Sequence, residues 1–208
     1  MAQRIFALHT STHPPEKSSS AALTKHALDH LMVMYPRAEV RWVDGAKLKI
    51  APNLSCYANG KTHCADPASG PYRCWANVQA GGKDEMPVIY DNLAWCDTFI
   101  ASTSNRWGSH SAVLQNVIER MNTLENRGSS YGEPYPMKGK RLGVVVTGLH
   151  WKTSDVARHL VETLKWWGFA TQDGCALSWQ RSNDPFFEHP DNDLPYEQSW
   201  ALTPRGQE

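Results

Sequence analysis

The chain has 208 residues, with 21 basic and 21 acidic side chains and a formal charge of zero. That length suits one domain with a sizeable core, and the even charge gives neither nucleic acid nor an anionic membrane an electrostatic hold. No apolar run reaches bilayer-spanning length, and Arg4 leads straight into a strand, so a cytoplasmic protein without a membrane partner is expected. Five cysteines, an odd number in a chain of this size, argue against a secreted disulfide framework.

Arg4 to His9 reads as a compact apolar strand, and Ser18 to Met34 as a helix with Ala22, Leu23, Ala27, Leu28, Leu31 and Met32 on one stripe. The loop between them, Thr10 to Ser20, is crowded with hydroxyls at a helix N-terminus, where amides lack partners and the macrodipole is positive, so it reads as a phosphate cradle. It has no glycine and neither the G-x-G-x-x-G nor the G-x-x-x-x-G-K-[ST] pattern, which excludes a dinucleotide fingerprint and a P-loop. The plain alternative is a set of helix caps in a solvated turn. Glu39 to Asp44 alternates and predicts a second strand at or near a sheet edge.

Regular pattern then stops. From Gly45 to Lys83 the chain carries three prolines, five glycines and Cys56, Cys64 and Cys74, an irregular excursion of a length that is usually functional or lies on a partner. Asp84 to Leu93 restarts helix with Asp84 as N-cap, and Cys96 to Ser102 predicts a buried strand. A polar loop, Thr103 to Ser109, follows, before a helix with Val113, Leu114, Val117, Ile118 and Met121 at helical spacing. From Arg127 to Pro136 the composition predicts a loop. Arg141 to Thr147 reads as a strand covered on both faces, Ser154 to Trp167 as a helix ended by Gly168, and Phe169 to Trp179 holds a last strand. The tail from Gln180, with Phe186, Phe187, Tyr196 and Trp200, reads as a segment docked on a surface.

One family resemblance is carried by specific residues. Thr103, Arg106, Trp107, Gly108, Ser111, Ala112, Glu119 and Arg120 fit the T-P-x-R/Y-W-G-x-x-S-A pattern, and the helical x-(D/E)-R after it, of the flavodoxin-like, NAD(P)H-dependent FMN reductase superfamily. Ser102 to Arg120 thus resembles that superfamily's second flavin-binding segment, with Ser104 where Pro is usual and Gln115 where Lys often stands. Ser11, Ser19, Ser20 and Leu23 resemble its first phosphate loop, with His13 near the usual Arg. Asp84-Glu85-Met86 and Cys96-Asp97 fill the places of a D-D-M element and an A-D pair. The resemblance covers residues 4 to 180. Iron-sulfur relatives carry compact cysteines in the region of the excursion, and this chain does not.

Five strand–helix alternations predict an α/β, flavodoxin-like three-layer sandwich with a five-stranded parallel sheet in order 2-1-3-4-5. Residues 1–180 then form one FMN-binding domain with the irregular excursion 45–83, and residues 181–208 a tail docked on the domain or on a partner subunit. FMN needs a phosphate site at a helix N-terminus, polar groups for its pyrimidine edge and an aromatic flank. Phosphate contacts are assigned to Ser11, His13, Ser18, Ser19 and Ser20. Ring and ribityl contacts go to Thr103, Ser104, Asn105, Arg106, Trp107 and Gly108, and an outer flank to Thr147, Gly148 and His150. Trp107 has a competing role as a core or interface ring. No protein nucleophile is needed and none is assigned as catalytic; His110, His150 and His159 are candidates for proton supply.

Cys56, Cys64 and Cys74, with His63, lack a tight C-x-x-C pair and read as ordinary thiols with no metal assigned, a disulfide or metal site being the alternatives. Cys96 and Cys175 read as small residues of the core strands. The resemblance implies an oxidoreductase passing hydride from NAD(P)H through FMN to a flavin, quinone or similar small acceptor, assembled as a homodimer or homotetramer. The alternatives are an FMN-binding electron carrier serving a protein partner, and a flavodoxin-fold protein that has lost FMN. Carriers of that kind are strongly acidic, whereas this chain is neutral, which favours the reductase.

Overall fold

The computed structural model of the protein describes residues 2–56, 74–131, 135–149 and 151–180. Five strands, β1 (Arg4–His9), β2 (Glu39–Asp44), β3 (Thr98–Ser104), β4 (Arg141–Gly148) and β5 (Ala176–Gln180), form one sheet in the order β2-β1-β3-β4-β5. Every neighbouring pair is parallel. The flavodoxin-like α/β arrangement expected from the sequence is therefore what the chain adopts. Its parallel strands all deliver their C-terminal ends to one edge, and there the ligand loops of such sheets lie.

Among the described residues six α-helices accompany the sheet: α1 (Ser19–Met34), α2 (Trp75–Gln79), α3 (Met86–Trp95), α4 (Ala112–Arg120), α5 (Asn122–Tyr131) and α6 (Thr153–Trp166). The larger core joins α3, α4, α5 and α6 to one sheet face through Phe6, Phe99, Leu114, Leu124, Leu160 and Phe169, among others. Phe99 stacks between Phe6 and Phe169 with ring centroids 5.4 Å away on either side, and each such buried ring stabilises by about 1.5–3 kcal/mol. On the opposite face Leu28 of α1 meets Ile5, Ala7, Ile100 and Val145.

Several boundaries differ from the sequence reading, each for a physical reason. β3 starts at Thr98 and runs on through Thr103 and Ser104, because parallel pairing with Val146 and Thr147 carries the ladder into polar residues. Cys96 instead closes the C-terminus of α3; it is buried, and burial pushes its thiol up to about 11, so it is an inert small core residue. Cys175 lies just before β5 and is only half-buried. Asp84 is not the N-cap of α3, a place taken by Glu85 without a side-chain bond. α5 replaces the loop expected from Arg127, as helix resumes after Met121 and continues to Tyr131. The excursion contains a 3-10 turn, Gly45–Lys47, and α2. Cys64 and His63, and the tail 181–208, lie outside the described residues, and among those described no three His, Cys, Asp or Glu side chains form a metal-binding group. No described helix is long and apolar enough to cross a membrane.

Lys140 ties the lower layer together. Its ammonium donates to the carbonyls of Leu93, Ala94 and Cys96 at 2.6, 2.8 and 2.7 Å, satisfying the end of α3 where a cation is favoured.

Candidate functional site

Three loops meet at the C-terminal edge of the sheet: Thr10–Ser18 after β1, Asn105–Ser111 after β3, and Leu149–Lys152 after β4. Hydroxyl groups knit their bases. Thr10 Oγ1 donates to the Ser102 carbonyl at 2.8 Å and accepts from Ser111 Oγ at 3.0 Å. Ser19 Oγ donates to Thr147 Oγ1 at 3.0 Å, and Thr24 Oγ1 lies 2.8 Å from Ser102 Oγ. Buried hydroxyls of this kind must be paired, so the strand ends and both helix starts are held in one register.

In the first loop Ser18 caps α1, its Oγ accepting from the Ala21 amide at 3.4 Å. Ser11, Ser18, Ser19 and Ser20 are all buried, and the first-turn amides lie where no preceding helical carbonyl can reach them. His13 is exposed, and its amide donates to Ser11 Oγ at 3.3 Å. Arg106 reaches over from the second loop, Nη2 donating to Thr12 Oγ1 at 3.3 Å, which sets a cation at the mouth of the first. Arg106 thus ties the second loop to Thr12 in the first.

The second loop is a tight reverse turn. Arg106 and Ser109 exchange backbone bonds of 2.7 and 3.0 Å, and between them Trp107 and Gly108 both have positive φ, 54° and 78°. Both central residues of a type I′ turn need that conformation. Glycine adopts it freely, whereas a bulky residue there is strained by about 1–2 kcal/mol. The indole stands out from this turn: Trp107 is 94% exposed, which removes the core reading of that ring. Asn105 joins this turn to the third loop, accepting from the Gly108 amide at 2.9 Å and donating to the Trp151 carbonyl at 2.6 Å. Thr103 Oγ1 accepts from the Ser111 amide at 3.0 Å, while Ser104 Oγ is buried without a partner among the described residues.

In the third loop Thr147 is the next-to-last residue of β4, and Gly148 has no room for a side chain, since a Cβ would stand 2.5 Å from Thr153 Oγ1. His150 lies outside the described residues. Beside the Trp107 turn opens a cavity of about 320 Å³ lined by Ser109, His110, Lys152, Asp155 and His159, among others. The His110 and His159 rings stack there at 6.4 Å and 17°. Gln115 gives its amide to Glu119 at 2.9 Å and turns its oxygen to His110 Nε2 at 2.7 Å, so that nitrogen carries the ring proton, and burial lowers the His110 pKa.

The sequence profile of the NADPH-dependent FMN reductases matches residues 3–184. The chain belongs to that family. FMN is therefore its cofactor, NAD(P)H the electron donor, and the protein an oxidoreductase. Among solved structures, RosB with bound 8-demethyl-8-formylriboflavin-5'-phosphate superposes with a TM-score of 0.65 at 17% identity, over 95% of this chain and 74% of that one. An azoreductase from Bacillus anthracis gives 0.60 at 13% identity over 86% and 87% of the two chains. A third, an NADH:FMN oxidoreductase in its apo form, gives 0.55 at 15% identity over 86% and 76%. At such identities these likenesses show the shared fold. A comparison with curated proteins gives no match.

The donor set suits an FMN in this family member. A helix N-terminus and a guanidinium that reaches the same loop complement a phosphomonoester, and the Ser104 hydroxyl at the end of β3, which has no partner among the described residues, is a buried polar group that a ligand would satisfy. Three features escaped the sequence reading: His9, which lies directly beneath the first loop, the cavity against α6, and Lys152. Lys152 has a positive φ of 62°, and its ammonium stands 4.5 Å from the Trp151 ring centroid.

Proposed function

We propose that the chain passes hydride from NAD(P)H through bound FMN to a small acceptor, a flavin, quinone or similar planar molecule. The observation that carries this reading is the strained Trp107–Gly108 turn, which presents an exposed indole from a loop that Arg106 ties to the first loop and Asn105 to the third. When bound, FMN supplies the two-electron chemistry. In this reading the loop after β1 holds the phosphate through Ser11, His13, Ser18, Ser19 and Ser20. Arg106 adds charge at its mouth, in support of that placement. Thr103, Ser104, Asn105, Trp107 and Gly108 flank the ring on one side, and Thr147, Gly148 and His150 on the other.

The cavity against α6 suits the second substrate, since it opens next to Gly108 and presents cationic Lys152 and two imidazoles. Zero net charge supports a small acceptor over an acidic-carrier role. Anaerobic NAD(P)H oxidation by the purified protein, with menadione or riboflavin as acceptor, tests the reading together with its absorbance spectrum. A flavin spectrum with catalytic turnover is expected. A colourless protein that binds no added FMN would overturn it.

A further inference from the structure

His9, the last residue of β1, is fully buried yet surrounded by polar atoms. Its Nε2 lies 3.0 Å from Ser18 Oγ and 3.3 Å from Ser20 Oγ, and those two oxygens are 3.0 Å apart. On the opposite side Nδ1 stands 3.6 Å from Asp44 Oδ1, an ion-pair separation too long for a hydrogen bond, and among the described residues neither atom has another bonded partner. His9 and Asp44 are register partners across β1 and β2, and the His9 ring stacks on Trp42 at 5.6 Å, so the imidazole is held in place.

Proton counting gives this triangle two states. A carboxylate only accepts, so a neutral His9 turns its single N–H toward Asp44 and leaves Nε2 bare. Nε2 must then accept from Ser18 or Ser20, and both hydroxyl protons are consumed within the triangle. A charged His9 donates from Nε2 to Ser18 Oγ, which also accepts from the Ala21 amide. With both lone pairs of Ser18 Oγ occupied, at least one hydroxyl proton is released to an anion above, and a cation lies beneath the cradle.

We propose that His9 is a positioning residue whose protonation accompanies binding of the flavin phosphate, the charged ring freeing at least one of the Ser18 and Ser20 hydroxyls to donate outward. The inference rests on the reading of the β1–α1 loop as the phosphate site. Burial lowers the His9 pKa, while Asp44 on β2 opposes that and Lys25 on α1 and Lys47 after β2 reinforce it. The ring is neutral without ligand, and a phosphate dianion supplies the missing counter-charge. The pKa is thus higher in the complex than in the free protein. From about pH 7 upward, where the phosphate is already a dianion, FMN affinity falls by about tenfold per pH unit as pH rises between those two values.

Calorimetric titration of the full-length, flavin-stripped chain at pH 7.5, in two buffers of different ionisation enthalpy, reads the proton directly. Uptake of about one proton with FMN and none with riboflavin is expected. His9→Gln keeps an amide N–H facing Ser18 but cannot titrate, so it should retain the preference for FMN over riboflavin with no proton uptake and a flat pH profile. His9→Leu should lose at least tenfold of that preference. Unchanged uptake in His9→Gln, or no uptake by the wild type while FMN is still preferred, overturns the proposal. Equal affinity for FMN and riboflavin would remove the phosphate-site reading itself, and this proposal with it. If the variants fail to fold, the wild-type stoichiometry and the His9 ring nitrogen shifts with FMN against riboflavin decide the question.

Discussion

Arg120 donates to Asp84 through Nη2–Oδ2 at 2.6 Å, with their side chains only 1% and 0% exposed. The same guanidinium donates to the Ala51 carbonyl at 2.6 Å, and the Tyr90 hydroxyl bonds the Arg120 carbonyl at 2.6 Å. One buried ion pair therefore clamps the start of the excursion, the entry to α3 and the end of α4. The two fragments read separately in the sequence, Asp84-Glu85-Met86 and Glu119-Arg120, are halves of a single contact.

Removing one partner strands a buried charge. Arg120→Met or Asp84→Leu should cost about 3–5 kcal/mol, whereas the double change Arg120→Met/Asp84→Leu should cost less than the two single changes added together. Urea unfolding of the four proteins measures the coupling. Additive losses would mean that the pair does not act as a unit.

The same carboxylate sets an acid limb. Burial alone would raise the Asp84 pKa, but the bond from Arg120 and the amides of Ala51 and Met86 outweigh it and hold it below its ordinary value. Since the folded value lies under the unfolded one, near 3.9, this contribution is complete above that pH and is lost as pH falls through the folded value. Melting temperature followed from pH 6 to pH 2.5 should drop at the acid end in the wild type, with a shallower drop in Asp84→Asn.

Trp107→Ala removes a ring that makes no core contact. Stability should stay within about 0.5 kcal/mol, while FMN affinity, followed by flavin fluorescence, falls about two- to tenfold through loss of an aromatic flank. Unchanged affinity would confine Trp107 to an interface role.

At Gly148 space decides, since its backbone conformation suits any residue. Alanine there meets Thr153 Oγ1 at 2.5 Å and Asn105 Cβ at 3.0 Å, so the second and third loops must part. Gly148→Ala should destabilise by about 1–3 kcal/mol and weaken FMN binding about tenfold, and Thr153→Ala in the same chain should recover part of both. Failure of that rescue would place the strain elsewhere.

A dimer or tetramer with its boundary near the flavin crevice is expected from the apolar side chains left uncovered around it, Trp107, Leu149 and Trp151 among them. Light scattering at micromolar concentration should give twice or four times the chain mass, and truncation after Trp179 should weaken both assembly and turnover. A fully active monomer would refute this.

β1 and β2 were readable to the residue because each apolar or alternating run is bounded by polar or turn residues. β3 was not: Thr103 and Ser104 look like loop, and only their pairing with Val146 and Thr147 makes them strand. The three loops were legible through hydroxyl density and the Trp107-Gly108 dipeptide, since turn chemistry is local. His9 was read as a plain strand end. Its partners are assigned by topology, Asp44 by the β1–β2 register and Ser18 by the return of α1, and no local pattern encodes either.

The left-handed backbone at Trp107 has a bearing on engineering. Trp107→Gly would relax a conformation that disfavours every L side chain, and selection for thermal robustness alone should keep finding that substitution. If Trp107 is the flavin's aromatic flank, as proposed, each such gain would blunt it, and the route to a hardier fold and the retention of tight flavin part company at one residue.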